Sequence, residues 1–219
     1  DWGLLDRRSA VGGQVLRIQT ASGPLGELFL PVFGEHMAHN AAQAVAAAEA
    51  LTGPLTPAII EQGLAAVEAP ARLEVVRRSP LVILDTFHNP HGAVSAMAGV
   101  RESFEAEPLI AVVAAMADKD IDGVLAVLSD AVSHLVVTSM PDLSRALSVD
   151  ELAEKASTHW DSDHLTRVAD VREALEEAFR IADSCGPGAG VLVAGSVVLA
   201  GRARAILRPD GTMLDAPQT

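Results

Sequence analysis

Apolar and polar positions alternate from Gln14 to Thr20, with Val15, Leu16 and Ile18 among them, and again from Glu27 to Phe33. "ASGPLG" lies between, rich in turn formers, so the pattern predicts a β-hairpin. From His36 to Leu51 the chain is Ala-rich and reads as a helix closed by Gly53 and Pro54. Thr56 is placed to cap a second helix, with Pro57 at its first position, running to about Val67. Glu68 to Arg72, "EAPAR", reads as a linker.

Beyond it the style changes. Leu73–Arg78 and Leu81–Asp85 predict a strand pair. Short apolar strands at 109–115, 135–139, 165–168 and 191–194 then alternate with helices at 91–104, 121–132, 149–158, 171–184 and 197–207. Strands of this kind separated by helices imply an α/β fold with a mostly parallel, Rossmann-like sheet covered on both faces. The chain thus divides into residues 1–70, a hairpin and two helices, and residues 71–219, an open α/β domain.

Of 219 residues, 49% are hydrophobic, so a core is feasible, but Tyr is absent and aromatics are scarce; Ala, Val and Leu must fill it. A net charge of −13 argues against nucleic-acid or anionic-membrane binding, since nothing offsets phosphate repulsion. The single cysteine, Cys185, excludes an internal disulfide and a thiolate metal cage and fits a cytoplasmic setting. The apolar runs, such as Leu109 to Ala117, are shorter than the roughly 20 residues a membrane span needs. Residue 1 is Asp, and the first residues read as mid-protein sequence, so a fragment is expected.

Several clusters suit chemistry. In "LVILDTFHNPHG" an aliphatic run stops at Asp85. Ligands of open α/β sheets sit beyond the carboxyl ends of strands, where a carboxylate can hold a ribose diol or an ammonium group. Asn89 caps the next helix and Pro90 starts it, which leaves His88 in the loop. The plainer reading is a strand end and a solvated histidine. In "GEHMAHNAAQA", His36 and Asn40 share a helix face. An asparagine amide can pair two-pronged with adenine, or be a surface polar group. Arg72 at the junction suits a phosphate, or is a hinge charge. Gly195-Ser196 opens a helix whose free amides suit a carboxylate, or Ser196 is merely a cap. Lys119 follows a strand end, facing an anion or water beside Asp118 and Asp120. A zinc site at His36 and His39 lacks an acidic third ligand.

The succession of these motifs is more specific than any one. Gly34-Glu35-His36 with Asn40, then Pro70-x-Arg72-Leu73-Glu74, Leu84-Asp85-x-x-His88-Asn89-Pro90, Met116-x-Asp118-Lys119-Asp120 and Gly195-Ser196 with Ala200-Gly201 closely resemble the folylpolyglutamate synthase/dihydrofolate synthase family of the Mur ligase superfamily. The likeness runs from about Val11 to Leu207. It implies ATP-dependent amide formation: a folate or dihydropteroate carboxylate is phosphorylated, and L-glutamate attacks the acyl phosphate, with Mg2+ neutralising the transferring phosphates. By the same resemblance Asn40 recognises adenine, Arg72 contacts ATP phosphates and Asp85 holds the nucleotide, while His88 and Ser196 serve the incoming glutamate. His36 and Lys119 lie in family motifs without a sharp role.

Two departures stand out. Thr86 and Phe87 occupy positions where small residues are typical, and the bulk of Phe87 either narrows the crevice or packs beneath it. The phosphate loop Gly-x-x-x-x-Gly-Lys-Ser/Thr is absent from the chain. The resemblance accounts for this if residues 1–70 are the end of the central ATPase domain and 71–219 the glutamate ligase C-terminal domain. The phosphate loop and the metal ligands would then lie in the N-terminal half of the same enzyme, ATP would bind between the two, and the fragment alone would be inactive. Alternatives are a ligase for a cell-wall precursor and a non-catalytic nucleotide-binding α/β module. A nicotinamide-binding domain is less consistent, because no Gly-x-Gly-x-x-Gly follows the first strand.

Overall fold

The computed structural model describes residues 2–208. Asp1 and residues 209–219, the end of the expected second domain, lie outside the described residues. The chain forms two compact units that divide between Pro70 and Ala71.

The first unit opens with strands β1 (Gly3–Ala10), β2 (Gly13–Thr20) and β3 (Gly23–Leu30), antiparallel in that order. The expected hairpin is therefore three-stranded, and its second turn is tighter than read. β3 resumes at Gly23, and Pro24 pairs opposite Gln19 inside the ladder. Proline is tolerated on β3 because an edge strand has a partner on one side only. The other edge strand, β1, buries no residue fully, so its pattern carries no alternation to read. Helices α1 (Glu35–Thr52) and α2 (Pro57–Ala65) cover one face. Leu16, Ile18, Leu28 and Leu30 meet Ala38, Ala41, Ala42 and Val45 of α1 and Ile60 and Leu64 of α2. Each fully buried aliphatic side chain stabilises by about 1.5–3 kcal/mol, and the alanines let α1 approach closely. Buried Gln14 donates to the carbonyls of Val32 and Gly34, both at 3.0 Å, which fixes the entry to α1.

The second unit alternates β4 (Glu74–Arg78), β5 (Leu81–Leu84), α3 (Pro90–Ser103), β6 (Leu109–Val113), α4 (Ile121–Ser129), β7 (Val132–Val137), α5 (Val149–Ala156), β8 (Leu165–Arg167), α6 (Val171–Cys185), β9 (Gly190–Ala194) and α7 (Val197–Leu207). The sheet order is β4-β5-β9-β6-β7-β8. β4 pairs antiparallel with β5; the other pairings are parallel. β6 and β9 are buried along their whole length. On one face Val82, Leu84, Ile110, Val112, Val191 and Val193 pack against Ala174, Leu175, Ala178, Leu199 and Ala200 of α6 and α7. The alternate residues Ile83, Ala111 and Leu192 are equally buried, so the opposite face is covered too. The largest boundary shift in this unit is between α4 and β7: α4 ends at Ser129 and β7 begins at Val132, each three residues early. The apolar run there holds no Gly or Pro to mark the change from helix to strand.

Candidate functional site

The carboxyl edge of the parallel sheet is built by the segments that follow β5, β6, β7 and β9. Asp85 directly follows β5. Its N–H donates to the Val193 carbonyl at 3.0 Å, continuing the ladder, and the residue is 3% exposed. Its carboxylate joins two backbone segments. Oδ1 accepts the Phe87 N–H at 2.8 Å, which turns the chain out of the strand. Oδ2 accepts the Leu73 N–H at 3.0 Å, which ties the segment before β4 to the strand end.

That segment has an unusual conformation. Ala71 and Leu73 take left-handed φ values of 53° and 49°, and the exposed Arg72 lies between them. Such a φ costs an L-residue about 1–2 kcal/mol. Two carboxylates offset it. Asp85 holds the Leu73 amide, and Glu74 Oε2 accepts the Ala71 N–H at 2.8 Å. Glu74 is itself buried, and both its oxygens accept Arg204 Nε of α7 at 3.0 Å. Hydrogen bonds to charged groups are worth about 1.5–3 kcal/mol each, enough to hold the turn.

After Asp85 the loop brings Thr86, Phe87 and His88 to the edge. Phe87 is 3% exposed and packs beneath the loop against Gly92, where an added Cβ would come within 3.1 Å of the Phe87 Cβ. Its bulk is therefore taken up under the loop rather than in the space beyond the strand ends. Half-buried His88 has Nδ1 3.1 Å from the Thr86 carbonyl. A carbonyl only accepts, so this contact places the proton on Nδ1 and leaves Nε2 as the acceptor of the neutral ring. Thr86 Oγ1 is buried without a hydrogen-bond partner among the described residues. In the sequence Thr86 stands out only by its size; its unsatisfied hydroxyl emerges once the strand end is folded.

β9 delivers Gly195 and Ser196 to the same edge. The Gly195 N–H donates to the Phe87 carbonyl at 3.1 Å, which fastens this turn to the Asp85–His88 loop. Gly195 has φ +96°, and a Cβ there would lie 2.6 Å from the Ala114 carbonyl oxygen. Only glycine fits. Ser196 Oγ accepts the Val198 N–H at 3.2 Å and caps α7. The Asp85 carboxylate and the Gly195–Phe87 backbone hydrogen bond thus gather Leu73, Asp85, Phe87 and Gly195 into one cluster, with Arg72, His88 and Ser196 next to them along the chain.

Among the described residues no hydrogen bond joins Lys119 to that cluster, and Asn40 and His36 belong to the other unit. Lys119 is exposed in the loop after β6, 3.5 Å from Asp118, which also meets Arg145 at 3.3 Å. Such surface pairs contribute little to stability. Asn40 and His36 belong to α1 in the first unit. Asn40 is exposed, with a weak contact to Met37 Sδ at 3.9 Å. Gly34 is the N-cap of α1, with His36 in its first turn. A cavity of about 840 Å³, lined by Met97, Val100, Phe104, Leu109, Ser133 and Gly188, lies at the amino-terminal ends of β6 and β7, opposite the clustered edge.

Residues 71–197 match the family model of the Mur ligase glutamate ligase domain. This chain belongs to the Mur ligase family. Among its relatives, the dihydrofolate synthase/folylpolyglutamate synthase of Mycobacterium tuberculosis is 35% identical over 96% of the chain and 46% of its own length. The crystal structure of Mycobacterium tuberculosis folylpolyglutamate synthase complexed with ADP and AMPPCP superposes with a TM-score of 0.90 at 36% identity, over 99% of this chain and 49% of that one. The bifunctional folylpolyglutamate synthase/dihydrofolate synthase of Yersinia pestis, complexed with AMPPNP and a Mn ion, gives a TM-score of 0.71 at 31% identity, over 88% of this chain and 43% of that one. The Mur ligase chain described here therefore spans about half the length of the relatives it matches.

Proposed function

We propose that the protein carrying this chain is an ATP-dependent ligase that joins L-glutamate to a folate or dihydropteroate carboxylate, acting in the cytoplasm. The observation that carries this reading is the 36% identity and 0.90 TM-score to a folylpolyglutamate synthase over almost the whole chain. The pinned edge loops add the means. A carboxylate is a poor acylating agent at neutral pH. Attack of its oxygen on the γ-phosphorus of ATP releases ADP and leaves an acyl phosphate. The glutamate amine then attacks the acyl carbon, inorganic phosphate leaves, and the nitrogen loses a proton. In this reading Asn40 meets the adenine, Arg72 the phosphates and Asp85 the nucleotide side of the edge. His88 and Ser196 face the glutamate, with His88 Nε2 as the ring atom free to accept an N–H.

Mg2+ is the expected metal. Among the described residues no three His, Cys, Asp or Glu side chains gather to hold an ion. The described side chains therefore do not fit a complete metal site. We assign the metal ligands, like the phosphate loop, to the N-terminal half of the same enzyme, and expect the chain alone to be inactive.

The test measures ADP release by the full-length protein with ATP, L-glutamate and either dihydropteroate or a folate, beside nucleotide-linked muropeptides with their amino acids. Folate-dependent turnover supports the reading. Turnover with muropeptides alone would assign a cell-wall ligase, and tight ATP binding without turnover on any acceptor a binding module. ADP release by the isolated chain would overturn its predicted inactivity.

A further inference from the structure

We propose that Glu74 and Arg204 are positioning residues that fix Arg72 toward its anionic ligand. This rests on the reading that Arg72 meets the ATP phosphates. Arg72 is exposed, and among the described residues its guanidinium has no hydrogen-bond or ion-pair partner. Five donors on a long side chain are of little use to a ligand unless the backbone that presents them is fixed. That backbone is fixed in a form the local sequence does not favour. Ala71 and Leu73 both have left-handed φ values, and neither is a glycine. A short chain of this composition would relax out of such a turn without outside support.

The support comes from two buried carboxylates, one on each side of Arg72. Asp85 holds the Leu73 amide, and Glu74 holds the Ala71 amide. Glu74 needs a counter-charge, because an unpaired buried carboxylate is costly. Arg204, 130 positions later in the chain, supplies it with Nε 3.0 Å from both oxygens. Arg204 sits in the last turn of α7, the helix whose first turn begins at Ser196. One rigid helix therefore ties the Arg72 loop to the Ser196 edge. Neither Glu74 nor Arg204 touches substrate in this scheme; both act through the Arg72 backbone.

The test uses the full-length protein and the variants Arg72→Ala, Glu74→Gln, Arg204→Met, Arg204→Lys and the double variant Arg72→Ala/Glu74→Gln. Misplacing a binding group by about 1 Å can cost about a hundred-fold. Glu74→Gln and Arg204→Met are accordingly expected to raise the KM for ATP by about ten- to a hundred-fold, with the constants for the other two substrates unchanged. Arg204→Lys keeps the charge but not the fork geometry and recovers part of the loss. In the Arg72→Ala background, Glu74→Gln adds no further effect on ATP. Amide hydrogen exchange at Ala71 is faster in Glu74→Gln while the strands of the sheet keep their protection.

Glu74→Gln lowers the melting temperature on either account; a merely structural Glu74 would also raise all three KM values together, or multiply with Arg72→Ala, and either result overturns the positioning role. An unchanged Ala71 exchange rate in Glu74→Gln also overturns it. If Arg72→Ala leaves ATP saturation unchanged while Glu74→Gln still loosens the loop, the reading of Arg72 as the phosphate contact is what fails, and the positioning claim falls with it.

Discussion

Replacing Asp85 by asparagine changes one atom of the side chain and should cost the second unit a large share of its stability even without nucleotide. Both carboxylate oxygens are in use, for the Phe87 N–H at 2.8 Å and the Leu73 N–H at 3.0 Å, in a residue 3% exposed. An amide keeps one acceptor oxygen and turns an NH2 toward the other N–H. One buried donor is then left unsatisfied, at about 1–3 kcal/mol, and the surviving bond changes from charge-assisted to neutral, at about 1 kcal/mol. The sum is about 2–4 kcal/mol. With a urea m-value of about 2 kcal/mol/M, the unfolding midpoint should fall by about 1–2 M. Trp160 is the natural probe: it is buried in the second unit, with Nε1 donating to the Val132 carbonyl at 3.0 Å. A Trp2→Phe background makes its fluorescence specific to that unit. A midpoint unmoved by Asp85→Asn would refute the account, because neither amide would then depend on the carboxylate.

Gly195→Ala adds a Cβ 2.6 Å from the Ala114 carbonyl oxygen and 2.9 Å from Val113 Cγ1 at a positive φ. Backbone strain and overpacking together predict a loss of about 2–5 kcal/mol in the same urea assay. In the first unit, the backbone N–H of Ala21, then the Trp2 indole, with a smaller part from the Leu55 N–H, hold the Glu49 carboxyl below its ordinary value against the opposing effect of burial. A folded value depressed below 4.5 stabilises above that pH, and the contribution is lost as pH falls through the folded value. Glu49→Gln should remove this limb from a stability–pH curve followed by Trp2 fluorescence in a Trp160→Phe background. Burial, and next the neighbouring His164 ring, keep the His134 imidazole below its ordinary 6.5. The unfolded chain binds the proton more readily, so this stability is present above 6.5 and is lost as pH falls through the folded value. His134→Gln should flatten the Trp160-monitored curve in that window.

The strands and helices of the second unit were legible because their signals are local. Asn89, Ser148, Asp170 and Ser196 each accept a backbone N–H within the next three residues, so the helix starts stand in the sequence as capping residues. β1 was not legible, because an edge strand with no fully buried residue leaves no alternating pattern. The motifs around Arg72, Asp85 and Ser196 were visible as residue types in order. Their physical roles were not, since burial and partners depend on segments distant along the chain.

By itself the sequence determined the element types, the α/β class, the ordered motifs and the lack of a Gly-Lys-Ser/Thr phosphate loop, because periodicity, caps and residue identities act over a few neighbours. The tertiary structure alone decided that β9, the last strand among the described residues, inserts between β5 and β6 and brings Gly195 to Phe87. It decided that Asp85 is buried, with its carboxylate strapping two segments together. It decided that Glu74 finds its cation on α7, 130 positions away. A charge's partner is set by which segments meet in space, and no local pattern records that meeting.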